Sequence, residues 1–150
     1  MVLATEYVVT TAPFTVRRTV KWGHCDPAGV VYTVVFGEYV ISTAELFYQH
    51  LFQKGAQRQS QRTFGTPTRA LTFDFQHSLW PGDKFDTEVH IGRIGEHTYE
   101  LLMEATNQEG KTVFTACLTP ICVAPNERRA IAIPSNFRAK LQSYKQQCAG

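Results

Sequence analysis

The stretch WGHCDPAGVVY, running from Trp22 to Tyr32, decides how this chain is read. A carboxylate, Asp26, stands directly before a Pro-Ala-Gly turn, with a His and a Cys at its back. Behind it lies a strand pattern. Phe14, Val16, Val20 and Trp22 share one parity, as one face of a strand would, and Arg18 interrupts that face. Gly23 to Gly29 reads as a loop, with Pro27 and Gly29 supplying its turn chemistry. Ahead of it the period changes. Between Val35 and Lys54 the residues Phe36, Val40, Thr43, Phe47 and Leu51 follow helical spacing, and Tyr39, Ala44 and Leu46 widen the stripe. Gly55 suits a C-cap. A helix of about nineteen residues runs about 28 Å, enough to cross a sheet. It is apolar over more than half its circumference, so it is expected to be largely buried.

Working outward, Gln57 to Arg62 is a polar loop and the remainder reads as strands. Leu71, Phe73, Phe75 and His77 alternate with polar neighbours. Trp80 to Asp83 forms a turn, Phe85 to Ile91 alternates again, and so do Tyr99, Leu101, Met103 and Ala105. Asn107 to Gly110 is another turn. Thr112 to Val123 is a long apolar run that suits a central strand buried on both faces. Pro134 opens a short last helix with Phe137, Leu141 and Tyr144 on one face. The expected architecture is α+β: a five-stranded antiparallel sheet wrapped around one long central helix, with residues 1–13 as an N-terminal extension. Such a sheet leaves edge strands, so edge-to-edge dimerisation is expected.

Composition narrows the function classes. With 43% hydrophobic and 19% charged residues the chain is globular rather than disordered. A net charge of +2 gives no ground for a nucleic-acid partner. Eighteen aromatic residues (ten Phe, six Tyr, two Trp) fit an aromatic core or an apolar ligand pocket. Cys25, Cys117, Cys122 and Cys148 form no Cys-x-x-Cys pair and no zinc spacing, so no metal is expected and reduced thiols are. No basic, apolar leader opens the chain and no apolar run approaches twenty residues, so a cytoplasmic protein without a membrane segment is expected.

An acid in a Pro-Gly turn is most often only a turn former or helix cap. The functional alternative is a carboxylate at a helix entrance, attacking or activating water near an electrophile while backbone N–H groups hold an oxyanion. His24, Cys25 and Asp26 are not a triad by adjacency, because neighbours in an extended segment point to opposite faces. Cys25 reads as a small buried hydrophobe and His77 as a hydrogen-bonded strand histidine that could also face the site.

The stretch WGHCDPAGVVY and the helix after it resemble the hotdog-fold acyl-CoA thioesterases, most closely the 4-hydroxybenzoyl-CoA thioesterase group. Weaker matches follow in order: FGTP at Phe64 to Pro67, PGD at Pro81 to Asp83, and RAIAIP at Arg129 to Pro134. The resemblance covers about Val16 to Phe137 and implies hydrolysis of an acyl-CoA, with an aromatic, hydroxybenzoyl-like acyl group among the candidates. It implies that Asp26 is the catalytic carboxylate, as nucleophile or general base, and that the Gly65 N–H polarises the thioester carbonyl. A thioester carbonyl is electrophilic and a thiolate leaves readily, so a weak carboxylate nucleophile suffices.

Tyr32, Thr33, Thr66 and His24 are the implied acyl-pocket and substrate contacts. Thr33 replaces a Tyr common in the family, and His24 replaces an acid. Coenzyme A carries phosphates, for which Arg128 and Arg129 are the leading partners, with Arg58, Arg62, Arg69 and Arg93 as further candidates. The family's basic cluster is replaced by Gly95, Glu96 and His97, which leaves an acyl-carrier-protein thioester as an alternative substrate. No cofactor is implied beyond the coenzyme A of the substrate. A homodimer is the implied minimum and a homotetramer the implied assembly. Two rivals stand beside this reading: an acyl-thioester hydratase or dehydratase on the same fold, and a non-catalytic acyl-CoA-binding module.

Overall fold

A computed structural model describes residues 4–52 and 63–149. The expectations placed on Gly55, the 57–62 loop, Arg58 and Arg62 lie outside the described residues. In chain order the elements are β1 (Glu6–Thr11), β2 (Phe14–Thr19), a 3-10 turn at Trp22–His24, α1 (Thr33–Phe52), β3 (Thr68–Phe75), β4 (Lys84–Ile94), β5 (Tyr99–Asn107), β6 (Thr112–Pro120) and α2 (Ser135–Ala149). All strand pairs are antiparallel, in the order β1-β2-β4-β5-β6-β3.

The sheet thus has six strands rather than five. The added strand comes from the segment read as an extension. Glu6 to Thr11 pairs with β2, Glu6 opposite Arg18 and Val8 opposite Val16. β6 is also not central. It lies between β5 and the edge strand β3, and Thr115, Cys117 and Thr119 on its outer face are only half-buried. Its apolar run reflects the inner face plus the ends.

Helix α1 is buried as its stripe requires. Phe36, Tyr39, Val40, Thr43, Ala44, Phe47, Tyr48 and Phe52 are all inside. Aromatic rings carry the contact with the sheet in edge-to-face or tilted geometry: Phe36 with Phe114 at 5.4 Å, Tyr39 with Phe85 at 5.2 Å, Phe47 with Phe14 at 5.5 Å. Each such pair adds about 0.5–1.5 kcal/mol beyond the area it buries. At the far end Tyr48 and Tyr99 join their hydroxyls at 2.6 Å, and α2 seals the layer with Phe137, Leu141 and Tyr144.

Even-numbered β2 residues face the helix, as their parity predicts, and this includes the charged Arg18 at 4% exposure. A buried guanidinium needs a partner. Arg18 Nη2 lies 2.8 Å from Glu6 Oε2, close but without hydrogen-bond alignment, while Nε donates to the same oxygen at 3.2 Å. The guanidinium also sits over the Tyr39 ring at 5.1 Å. Trp22, expected on the same strand face, is instead 84% exposed in the 3-10 turn. The strand ends at Thr19, where the chain bends and Val20 donates its N–H to Asp83 O at 2.8 Å.

Candidate active site

The loop between the 3-10 turn and α1 is closed by its own backbone. Asp26 N–H donates to Val30 O at 2.9 Å, and Gly29 N–H donates back to Asp26 O at 2.8 Å. The Asp26 carboxylate accepts the Ala28 N–H at Oδ1, 2.9 Å away. Gly29 has φ +90° and a Trp80 ring carbon 3.2 Å from where its Cβ would stand. Both the backbone angle and the close ring therefore favour glycine here. Val31 N–H then reaches across to Leu79 O at 2.9 Å, which ties this loop to the segment after β3.

That tie creates a cavity of about 380 Å³. Asp26, Thr33, Phe36, Phe75, His77 and Ser78 line it. Thr33 is the first residue of α1, and the first N–H groups of a helix have no intrahelical acceptor. A carboxylate, a helix N-terminus and two phenyl rings therefore share one space. Phe75 is 47% exposed, 5.0 Å from Phe36 and stacked on Phe73 at 5.0 Å. The arrangement suits a thioester whose acyl group meets the rings while its carbonyl meets the acid and the helix end. Larger hollows, of about 430 Å³ on the outer sheet face near Leu102 and Cys117 and about 460 Å³ beside Arg17, bring no acid to a helix start.

The expected site residues are only partly gathered. Asp26 and Thr33 meet in the cavity; Tyr32 is exposed beside it and holds its backbone N–H to His24 O at 3.0 Å. His24 does not join them. Its Nδ1 is hydrogen-bonded to the Tyr39 hydroxyl at 3.0 Å, in a separate hollow of about 170 Å³ with Glu6, Arg18 and Ser42. Burial pushes the Tyr39 phenol up to about 12, so this hydroxyl stays protonated. His24 thus sits against Tyr39 and outside the lining of the Asp26 cavity.

Gly65 also moves out of its assigned role. Its N–H donates to Val123 O at 3.0 Å and its carbonyl accepts the Val123 N–H at 3.0 Å, a two-way bridge that leaves no N–H for a substrate carbonyl. Neither Gly65 nor Thr66 lines the Asp26 cavity. Arg128 and Arg129 are exposed outside that lining too, with Arg129 Nε 3.1 Å from Glu127 Oε2.

Cys25 is half-buried rather than buried. Desolvation pushes its thiol up, and the charges of Asp26 and Asp83 push it the same way. A thiol held protonated is a poor nucleophile. His77, expected as a hydrogen-bonded strand histidine that could also face the site, lines the cavity, and its Nδ1 lies 2.8 Å from Thr112 O. Among the described residues no group of His, Cys, Asp and Glu could hold a metal ion, and no helix is long and apolar enough to cross a membrane.

With the acid at the helix start in place, residues 20–141 match the thioesterase-like superfamily. The chain belongs to that superfamily. No curated protein matches it. Solved structures agree on the hotdog fold. A Staphylococcus aureus protein in complex with CoA is 15% identical, covers 98% of this chain and 89% of its own, and superposes with a TM-score of 0.81. A 1,4-dihydroxy-2-naphthoyl-CoA thioesterase from Synechocystis is 22% identical over 86% of this chain and 95% of its own, TM-score 0.70. A 4-hydroxybenzoyl-CoA thioesterase variant complexed with 4-hydroxybenzoyl-CoA is 17% identical over 92% and 99%, TM-score 0.74. The superfamily chain described here has the sheet, the central helix and the acid-bearing turn in the order that its sequence announces.

Proposed function

We propose that this superfamily member hydrolyses an acyl-CoA thioester to the free acid and CoA. One observation carries the reading: Asp26 and the N-terminus of α1 at Thr33 line the same cavity. Asp26 attacks the thioester carbonyl or activates water against it. The N–H groups of Thr33 and Val34 at the start of α1, rather than the Gly65 N–H, hold the oxyanion, where preorganised donors act most strongly; the Val35 N–H is already given to Tyr32 O at 2.9 Å. Phe36 and Phe75 give the acyl group a flat apolar bed, which favours an aromatic acyl chain. The phosphates of CoA are left to surface arginines such as Arg69, Arg93, Arg128 and Arg129, all outside the cavity lining. An acyl-carrier-protein thioester fits the same chemistry. The protein works in the cytoplasm, without a cofactor.

A homodimer is the working unit. β3 has a free edge among the described residues, with Phe75 exposed beside the cavity, so pairing of two β3 edges brings a second chain to each site. A homotetramer then packs two such dimers.

The test is thiol release, read with a disulfide dye, from benzoyl-, hydroxybenzoyl-, phenylacetyl- and straight-chain acyl-CoAs, with native protein and Asp26→Asn side by side. Release that needs Asp26 supports the reading and ranks the acyl groups. A second reading, hydration of an enoyl thioester, draws on His77 in the same cavity lining as Asp26. Loss of the C=C absorbance without thiol would establish it instead. Stoichiometric binding with no turnover would leave a binding module.

A further inference from the structure

Among the described residues the cavity lining holds one titratable group besides Asp26, and that group is His77. Its backbone is fixed at the start of β6. Gln76 N–H and His77 N–H both donate to Val113 O, at 2.8 and 3.2 Å. Its ring is fixed there too, because Nδ1 lies 2.8 Å from the carbonyl oxygen of Thr112. A carbonyl only accepts, so Nδ1 must carry the hydrogen. In the neutral ring the lone pair is then confined to Nε2. This carbonyl orients the imidazole as a carboxylate does in a catalytic pair, holding one nitrogen so that the other is a ready base.

We propose that His77 Nε2 is the base that takes the proton of the attacking water, which makes Asp26 the nucleophile. The inference rests on the thioesterase reading and assigns what that reading left open. The Asp26 carboxylate attacks the thioester carbonyl carbon, forming a C–O bond; the C–S bond breaks and its electron pair leaves with the CoA thiolate. The acyl group is now an anhydride on Asp26. A water oxygen attacks that acyl carbon while one of its protons passes to His77 Nε2. The bond between the acyl carbon and the Asp26 oxygen breaks and the carboxylate is restored. The Nε2 proton then goes to the thiolate or to solvent. The sum is thioester plus water giving acid plus thiol, with no other reactant. The assignment divides the labour physically: a carboxylate is a weak base at neutral pH, whereas an imidazole is a proton acceptor in that range.

The discriminating variant is His77→Asn. Its amide can donate to Thr112 O in place of Nδ1 but offers no basic nitrogen. Rapid-mixing thiol release is read with the acyl-CoA that the native protein turns over fastest. We expect a burst of about one thiol per Asp26, followed by a steady rate lowered by about 10²-fold or more, the range of general-base catalysis. A merely structural histidine cannot produce a burst, since only an accumulating acyl-enzyme does. His77→Ala should regain part of its steady rate with added imidazole, because the site is open to solvent. Steady turnover of His77→Asn within about twofold of native would overturn the proposal. So would a slow rate with neither burst nor imidazole rescue in the two variants. If the native protein releases no thiol from any acyl-CoA or acyl-carrier-protein thioester, the thioesterase reading fails, and the role of His77 falls with it.

Discussion

Asp26 Oδ1 accepts the Ala28 N–H at 2.9 Å, so the acid that lines the cavity also closes its own turn. The turn-former reading of this residue therefore holds, and the proposed catalytic role falls on the same side chain. The two separate in mutants. Asp26→Asn keeps an oxygen at the same position and loses the negative charge. It should fold with an unchanged Tm and lose turnover by at least about 10²-fold. Asp26→Ala loses the turn bond as well, which costs a further ~1 kcal/mol in stability. Thermal melts and thiol release on both variants check the pair. An Asn variant with near-native turnover would remove the carboxylate from the chemistry.

Glu6 and Arg18 give the fold an acid-sensitive joint. Burial acts to raise the Glu6 carboxyl, but hydrogen bonds from Ser42 and Arg18 and the charges of Arg18 and Lys21 outweigh it, and the net position is below the ordinary 4.5. A lowered folded-state value means that the folded protein holds fewer protons than the unfolded chain. The stabilisation is therefore complete above about pH 4.5 and drains away as pH falls through the lowered value. Glu6→Gln should flatten this part of the profile of Tm against pH. It should also cost about 2 kcal/mol at neutral pH, below the figure for a fully buried pair, because the Glu6 side chain is 33% exposed and screened by water.

The layer architecture was legible because each of its signals is local. The stripe on α1, the parity of β2 and the alternation in β4 and β5 all depend on residues a few positions apart. β1 was missed because its burial is shallow, with only Glu6 and Val9 half-buried, so no apolar alternation marks it. The site was half legible for the same reason. Asp26 and Thr33 belong to one continuous motif. His77 and Phe75 join them only through the pairing of β3 with β6 and the bond from Val31 to Leu79. The occupied N–H of Gly65 depends on Val123, 58 positions away, and the turning of His24 onto Tyr39 depends on a 3-10 turn that no residue spacing announced.

The edge of β3, free among the described residues, predicts a solution mass of at least two chains. Phe75 sits at that edge half exposed, and a paired edge would cover it. A lysine there would put a charge into the covered strip. Phe75→Lys should weaken association at least tenfold, or about 1.4 kcal/mol. Sedimentation equilibrium over a concentration series reads this directly. A native protein that stays monomeric at the highest concentration would sink the shared-edge assembly, and with it any site completed by a second chain.

Phe137 is the keystone of α2, and its loss should be felt in stability but not in chemistry. It is fully buried, with ring neighbours Phe52 at 5.5 Å, Phe64 at 5.3 Å and Tyr99 at 5.3 Å. With Tyr48 at 6.3 Å, four rings surround this one and leave little room for the site to collapse, so Phe137→Ala opens a cavity and should cost about 4 kcal/mol. For a chain of this size that is a fall in Tm of roughly 10–15 °C. Phe137→Leu keeps most of the volume and should cost about 1–1.5 kcal/mol. Neither residue change touches the lining of the Asp26 cavity. Well below its Tm, Phe137→Ala should therefore turn over an acyl-CoA at close to the native kcat. A fall in kcat as large as that of Asp26→Asn would mean that α2 holds the α1 N-terminus in register with Asp26, and that the two ends of the central helix are mechanically one unit.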